Sequence, residues 1–246
     1  MKRDLICKLR LTVDKLPRRL RESRLFFLFA KIIFNLPWEL FTFRRDYKKG
    51  RIKDLSILYN PESDFYIERT SKDTDINSLH LDLISNYIDI HKPFNLLDVG
   101  CGTGFLLELI DKRLSGGKLE GIDFNCKENS SLSFKNEINF TAGDINDILQ
   151  SFTNNSFDIV ICAHVLEHLA NPEEVVKEIR RVSKKLLILI CPLEKPYKWG
   201  LNYHVQFFEN SKNFIDFARS DDKSNKDYCF HERLGDCMYV ENIELS

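Results

Sequence analysis

The hydrophobic pattern changes character along the chain. Over residues 1–24, Leu5, Leu9, Val13, Leu16 and Leu20 recur every three or four positions, the period of one helix face. Lys8, Arg10, Lys15, Arg18, Arg19 and Arg21 lie between them. A basic amphipathic helix is predicted, with Pro17 set to kink or split it. Residues 25–41 are densely apolar and aromatic. A membrane-spanning helix needs about 20 apolar residues, and Lys31, Asn35, Pro37 and Glu39 interrupt this run. It reads as an interfacial or core segment, not a span. Residues 42–64, first basic and then polar, read as a connector.

From about residue 75 the pattern alternates. Residues 75–91 are predicted helical. Strands follow at 94–99, 118–124, 138–143, 157–163 and 185–191, with helices at 104–114 and 171–183. Several strands are short apolar runs, as expected where both faces are buried. Such alternation implies parallel βαβ units and a doubly wound, mostly parallel α/β sheet. A helix near 211–219 precedes two candidate strands, 227–233 and 236–243. These meet at Gly235 and could form an antiparallel hairpin on the sheet edge.

Charge divides the chain in the same place. Residues 1–53 hold 16 lysines and arginines against 5 acidic residues, leaving 20 basic against 32 acidic residues for the rest. The first segment is therefore suited to an anionic partner and the main domain is not. Seven cysteines without a CxxC pair fit neither a disulfide framework nor a cysteine zinc site. They point to a reducing compartment, and a cytoplasmic location is expected. No secretory signal is recognised, because the first long apolar stretch starts only at Leu25 and no small-residue cleavage site follows it.

The strongest chemical signal is Leu96-Leu97-Asp98-Val99-Gly100-Cys101-Gly102-Thr103-Gly104. A buried strand enters a glycine turn and a helix begins at once. Such a turn lets backbone approach a ligand, and the helix start offers free N–H groups. The spacing is GxGxG, whereas a nicotinamide dinucleotide loop reads GxGxxG. Asp98, just before the turn, also differs from the usual apolar strand end of such sites.

This segment resembles motif I of the class I S-adenosylmethionine-dependent methyltransferases, and further landmarks follow in order. Gly121-Ile122-Asp123 ends the second strand and Ala142-Gly143-Asp144-Ile145 the third. Phe157-Asp158-Ile159-Val160 opens the fourth, and Ala163-His164-Val165-Leu166-Glu167-His168-Leu169 follows it. The resemblance covers roughly residues 75–220. It implies the Rossmann-like methyltransferase fold with a seven-stranded or slightly truncated sheet, and S-adenosyl-L-methionine as cofactor. It places Asp98 near the methionine amino group and Gly100, Gly102 and Gly104 around the cradle. Asp123 falls on the ribose, and Asp144 with Ile145 frames the adenine. Cys101 and Phe124, beside these residues, complete the expected cofactor-binding set. Two departures stand out. Val182-Ser183-Lys184-Lys185-Leu186 replaces a Lys-Pro-Gly-Gly turn, and the tail lacks the usual Gly-Phe after the helix near 211–219.

A hydroxyl acceptor benefits from a general base, and histidine suits that role near neutral pH. His164 and His204 are the candidate catalytic residues, with His168 a weaker one. The alternative for each is a loop or cap histidine bonded to backbone. Glu167 is expected to pack at a helix start or to orient a histidine. His164-x-x-Glu167-His168 resembles an inverted zinc-protease motif. That motif needs a long regular helix, whereas this run sits at a strand end closed by Asn171-Pro172, so no metal is expected. No Asn/Asp-Pro-Pro-Tyr run follows the fourth strand, and Cys191 reads as a buried strand cysteine. With an acidic main domain, a nucleic-acid partner is disfavoured.

Two parts are therefore expected: a basic helical extension, 1–64, and a cofactor-binding domain, 65–246. The extension could dock on an anionic membrane surface through residues 1–53, cap the active site, or form a dimer interface. Docking would place the protein peripherally at the inner face of a membrane. The expected reaction is methyl transfer to a hydroxyl or carboxyl of a small-molecule, sugar or lipid-linked glycan acceptor. Protein or RNA methylation, or a catalytically inactive cofactor-binding scaffold, are the alternatives.

Overall fold

The computed structural model describes residues 15–34, 38–52, 78–88, 94–114, 116–126, 132–196, 202–220, 227–233 and 235–243. Residues 1–14 of the first predicted helix, residues 53–64 of the connector and the expected boundary at 64 lie outside them.

Seven strands form one sheet: β1 Phe94–Val99, β2 Gly117–Asp123, β3 Asn139–Ala142, β4 Phe157–Ala163, β5 Ser183–Pro192, β6 Tyr228–Arg233 and β7 Asp236–Asn242. Their order across the sheet is β3-β2-β1-β4-β5-β7-β6. β1 to β5 are mutually parallel, and β7 runs antiparallel to both β5 and β6. The order reverses direction between β1 and β4, the switch point where a parallel sheet opens a crevice at its carboxyl ends. The predicted hairpin is present. Its second strand lies inside the sheet, next to β5, and its first forms the edge.

The central strands are buried on both faces, as their unbroken apolar runs require. On one face Leu97, Val99, Val160, Cys162, Leu187 and Leu189 meet helices α6 (Ile145–Ser151), α7 (Pro172–Val182) and α8 (Ser211–Ala218). On the other, Leu96, Ile159, Ile161, Ile188 and Ile190 meet α4 (Ser78–Ser85) and α5 (Phe105–Arg113). Helix α7 shows how sequence sets an element. Pro172 starts it, Glu173 and Glu174 fill its first turn, and Arg180 and Arg181 its last, each sign matched to the helix dipole. Val175, Val176, Ile179 and Val182 form its buried stripe.

One buried ion pair ties three elements together. Arg180 on α7 donates through Nε and Nη2 to Glu241 of β7, and through Nη2 to the Ala218 carbonyl of α8. Tyr239 donates its hydroxyl to the same carboxylate at 2.9 Å.

The extension supplies α1 (Arg18–Arg21), α2 (Arg24–Phe34) and α3 (Trp38–Lys48). Helix α3 is docked. Phe43 is buried and meets Tyr203 edge-on at 5.1 Å, while buried Arg44 donates to Asn202 and lies over the Phe207 ring. Helix α2 differs. Leu25, Leu28, Phe29 and Ile32 recur along one face and are exposed by 77%, 39%, 64% and 72%.

Candidate functional site

The carboxyl ends of β1 to β5 gather two neighbouring groups of side chains. The first surrounds the glycine turn after β1. Gly100 and Cys101 donate their N–H groups to the Ile122 carbonyl at 2.7 and 3.0 Å, which folds the turn against β2. Gly100 has φ +79°, and a methyl group there would stand 2.0 Å from Val165, so both backbone angle and space demand glycine. Gly102 donates its N–H to the Asp123 carboxylate at 2.9 Å, and Asn125 donates to the other oxygen at 3.0 Å. Gly104 opens α5. The turn, Asp98 and Asp123 are thus held in one place.

The electrostatics of this group favour a cationic guest. Asp98 is buried at the end of β1. Burial first, and the charge of Asp123 second, push its carboxyl up to about 8. Burial also raises Asp123, while N–H donors from Asn125, Gly102 and Phe124 pull the other way. Phe124, next along, is 42% exposed. Cys101 turns its thiol away. It packs on Gly121, 3.6 Å from the Cys126 sulfur, so its backbone alone faces the turn. The exposed Asp144 accepts from the Asn146 N–H at 2.8 Å and caps α6, which begins at the half-buried Ile145.

The second group follows β4. His164 continues the ladder by donating its N–H to Ile190, then takes φ +57°. That left-handed setting is uncommon for a residue with a side chain. It turns the chain into a short 3-10 helix, Leu166–His168. The imidazole Nδ1 lies 3.5 Å from Glu167 Oε1 and Nε2 lies 3.7 Å from Asp236 Oδ2. Asp236 in turn is 3.6 Å from Nε2 of the buried His80 on α4. Burial and the nearby charge of His164 hold His80 down at about 4.

Glu167 is the centre of this group. Its backbone carbonyl accepts the N–H groups of Val205 and Gln206 at 2.8 and 3.0 Å. The Gln206 side chain donates to the Leu169 and Ala170 carbonyls. These bonds stitch segment 202–208 onto the turn and set His204 beside His168, their rings perpendicular at 4.7 Å. Burial pushes the Glu167 carboxyl up. The hydrogen bond from His164 and the charges of His168, His164 and His204 outweigh it and hold the group well below the usual range. Behind His204, the buried Glu194 meets Nδ1 at 2.5 Å and accepts from Asn202.

The sequence leads to no metal being expected here, and the structure adds one geometric fact. Glu167, His168 and His204 bring one ligand atom each within 4.8 Å of one another. The third group comes from a segment 36 positions on, which no local spacing can pair with the first two. Three further residues escaped the sequence reading. Glu194 had a faint signal, a lone acid just past an apolar strand, whereas His80 and Asp236 had none.

Comparison with known proteins completes the picture. Residues 90–229 match a family model described as a methyltransferase domain. The ubiquinone biosynthesis O-methyltransferase of Neisseria meningitidis serogroup C is 29% identical over 116 residues, 45% of this chain and 48% of that protein. The chain spans about half the length of the first such curated relatives it matches. The enzyme of the same name from Idiomarina loihiensis is 31% identical over 196 residues, 70% of this chain and 79% of that protein. Among solved structures, an S-adenosylmethionine-dependent methyltransferase from Aquifex aeolicus aligns with a TM-score of 0.51 at 18% identity. The alignment covers 78% of this chain and 98% of that one. Magnesium protoporphyrin IX methyltransferase from Synechocystis, solved with bound S-adenosylhomocysteine, aligns with a TM-score of 0.52 at 16% identity, over 77% and 99%.

Proposed function

This chain belongs to the methyltransferase-domain family, with S-adenosyl-L-methionine as its cofactor, and from that premise we propose that it methylates a hydroxyl oxygen of a small-molecule acceptor. The observation that carries this reading is His164, fixed at the carboxyl end of β4 between two carboxylates.

The first group of side chains fits the cofactor by its chemistry. Asp98 and Asp123 together favour a guest that brings positive charge and hydroxyl donors. Asp98 suits the amino group, Asp123 the ribose diol, and the Gly100–Gly104 turn a close backbone approach. Exposed Phe124 and half-buried Ile145 offer flat apolar surface for the adenine, with Asp144 at the ring's edge. When bound, the cofactor supplies a methyl carbon on a sulfonium, an electrophile that needs only an oriented nucleophile.

Orientation and proton uptake fall to the second group. Glu167 and Asp236 stabilise the charge that His164 acquires on taking a proton. A carboxyl acceptor is already ionised near neutral pH and gains nothing from such a base. A hydroxyl does, which favours it over the carboxyl, and the relatives' O-methyltransferase names agree. His204, locked to Glu194, is a positioning group in this reading. Peripheral contact with an anionic membrane is part of the same reading: the exposed stripe of α2 lies within the basic first segment.

The test uses His164→Asn, because asparagine tolerates the left-handed backbone. With labelled cofactor and a panel of phenolic, sugar and carboxylic acceptors, the wild type labels a hydroxyl-bearing compound. The variant binds cofactor as before and loses about 100-fold or more of the turnover rate. Transfer to no oxygen acceptor, or full turnover by the variant, overturns the reading.

A further inference from the structure

We propose that Arg44, on helix α3 of the extension, is a positioning residue for methyl transfer. Through Asn202 and Glu194 it fixes the ring of His204, and with it the turn that carries His164. The part played by that turn rests on the hydroxyl-acceptor reading.

Four side chains form a directed chain. Arg44 is buried, and its Nη2 donates to Asn202 Oδ1 at 2.8 Å. Asn202 Nδ2 donates to Glu194, 3.1 Å from Oε2 and 3.3 Å from Oε1. Glu194, buried as well, meets His204 Nδ1 at 2.5 Å through Oε1. Each link has one workable direction, because a guanidinium only donates and a carboxylate only accepts. Asn202 therefore turns its carbonyl to Arg44 and its amino group to Glu194. By the same rule the His204 proton sits on Nδ1, and Nε2 is left as an acceptor. Opposite charges thus bracket one amide, which offsets part of the cost of burying each. Without the cation, nothing in this chain dictates which way the amide faces, and its carbonyl could turn against Glu194.

The segment so held is the one that grips the turn after β4. The Tyr203 carbonyl lies 3.4 Å from His168 Nδ1, and the His204 ring stands across the His168 ring at 4.7 Å. Val205 and Gln206 donate their N–H groups to the Glu167 carbonyl. Glu167 Oε1 in turn lies 3.5 Å from His164 Nδ1. Contacts therefore run continuously from Arg44 to His164. Helix α3 holds the same segment at two further points: Phe43 meets Tyr203 edge-on, and the Arg44 guanidinium lies 4.3 Å over the Phe207 ring. Arg45, the next residue, differs. Its side chain is 43% exposed and pairs with Asp46 of the same helix. Helix α3 also lies ahead of residues 90–229, the stretch that matches the methyltransferase-domain model, so this support for the turn comes from outside that stretch.

The experiment uses the full-length protein with labelled cofactor and the acceptor identified in the panel above. Arg44→Met should lower kcat by about 10–100-fold while cofactor affinity and acceptor KM stay within about twofold. Arg45→Met should turn over as the wild type does. Long-range proton–nitrogen spectra of the histidine rings, with His204 assigned through His204→Gln, should show Nδ1 protonated in the wild type and in Arg45→Met. Arg44→Met should lose that single tautomer. Should Arg44→Met fail to fold, Asn202→Ala breaks the chain at its half-buried link and carries the same expectations. Unchanged kcat overturns the proposal. So does a fall in kcat with the His204 tautomer unchanged, and so does an equal loss of cofactor affinity, which would mark Arg44 as a residue of the fold alone. Transfer to a nitrogen or carbon acceptor only would sink the hydroxyl reading and leave Arg44 to be judged by the same kcat and the same spectrum.

Discussion

Asp98 experiences opposing demands. Its position at the end of β1 suits a cationic ligand, yet without one its carboxyl is buried near a second acid and titrates at about 8 instead of 3.8. Between those values the folded protein holds a proton that the unfolded chain has released. Stability of the cofactor-free protein should therefore fall as pH rises from about 4 to about 8, then level off. Denaturant unfolding across that range should show the slope in the wild type and lose it in Asp98→Asn. A cationic ligand reverses the preference. Its binding below pH 8 should expel a proton from the wild type but not from the variant, read by calorimetry in buffers of different ionisation enthalpy. An identical pH slope in both proteins would show that another group dominates.

At the scale of elements, the sequence was legible where period and burial agree. β1 and β4 fall at the predicted limits, and α7 lies one residue inside its predicted range at either end. Helix α6 was not foreseen. It is seven residues long, with Ile145, Ile148 and Leu149 as its apolar positions, and it depends on the Asp144 cap and the sheet beneath. The glycine turn was readable because backbone geometry and residue type coincide there. The acceptor side was half readable. His164, Glu167 and His168 were visible as a local run. Their grouping with His204, Glu194, Asp236 and His80 depends on contacts across the sheet that no period encodes. The tie between α7, β7 and α8 belongs at this scale as well. Arg180→Ala would leave Glu241, fully buried, without its cation. Breaking such a pair from one side costs about 3–5 kcal/mol. Urea unfolding should show that loss, and a change below about 1 kcal/mol would mean water reaches the carboxylate.

At the scale of the whole molecule, the extension divides into two roles. Helix α3 belongs to the body, since Phe43 and Arg44 reach the segment that carries His204. The expected division at residue 64 therefore does not separate α3 from the site in packing terms. Helix α2 presents its apolar stripe outward. Among the described residues no helix is long and apolar enough to cross a membrane. Full-length protein should sediment with vesicles rich in anionic phospholipid and not with neutral ones. Leu25→Glu with Phe29→Glu should abolish sedimentation and leave cofactor binding unchanged. Equal sedimentation of this double variant would assign the exposed stripe to another partner.

The left-handed turn at His164 carries a cost of its own. The chain keeps a ring-bearing residue in a conformation that glycine or asparagine would occupy with less strain. Selection for stability alone would favour glycine or asparagine here, and the proposed part of His164 in turnover is what would hold histidine in place. On the proposed reading, the position trades endurance for work in one torsion angle.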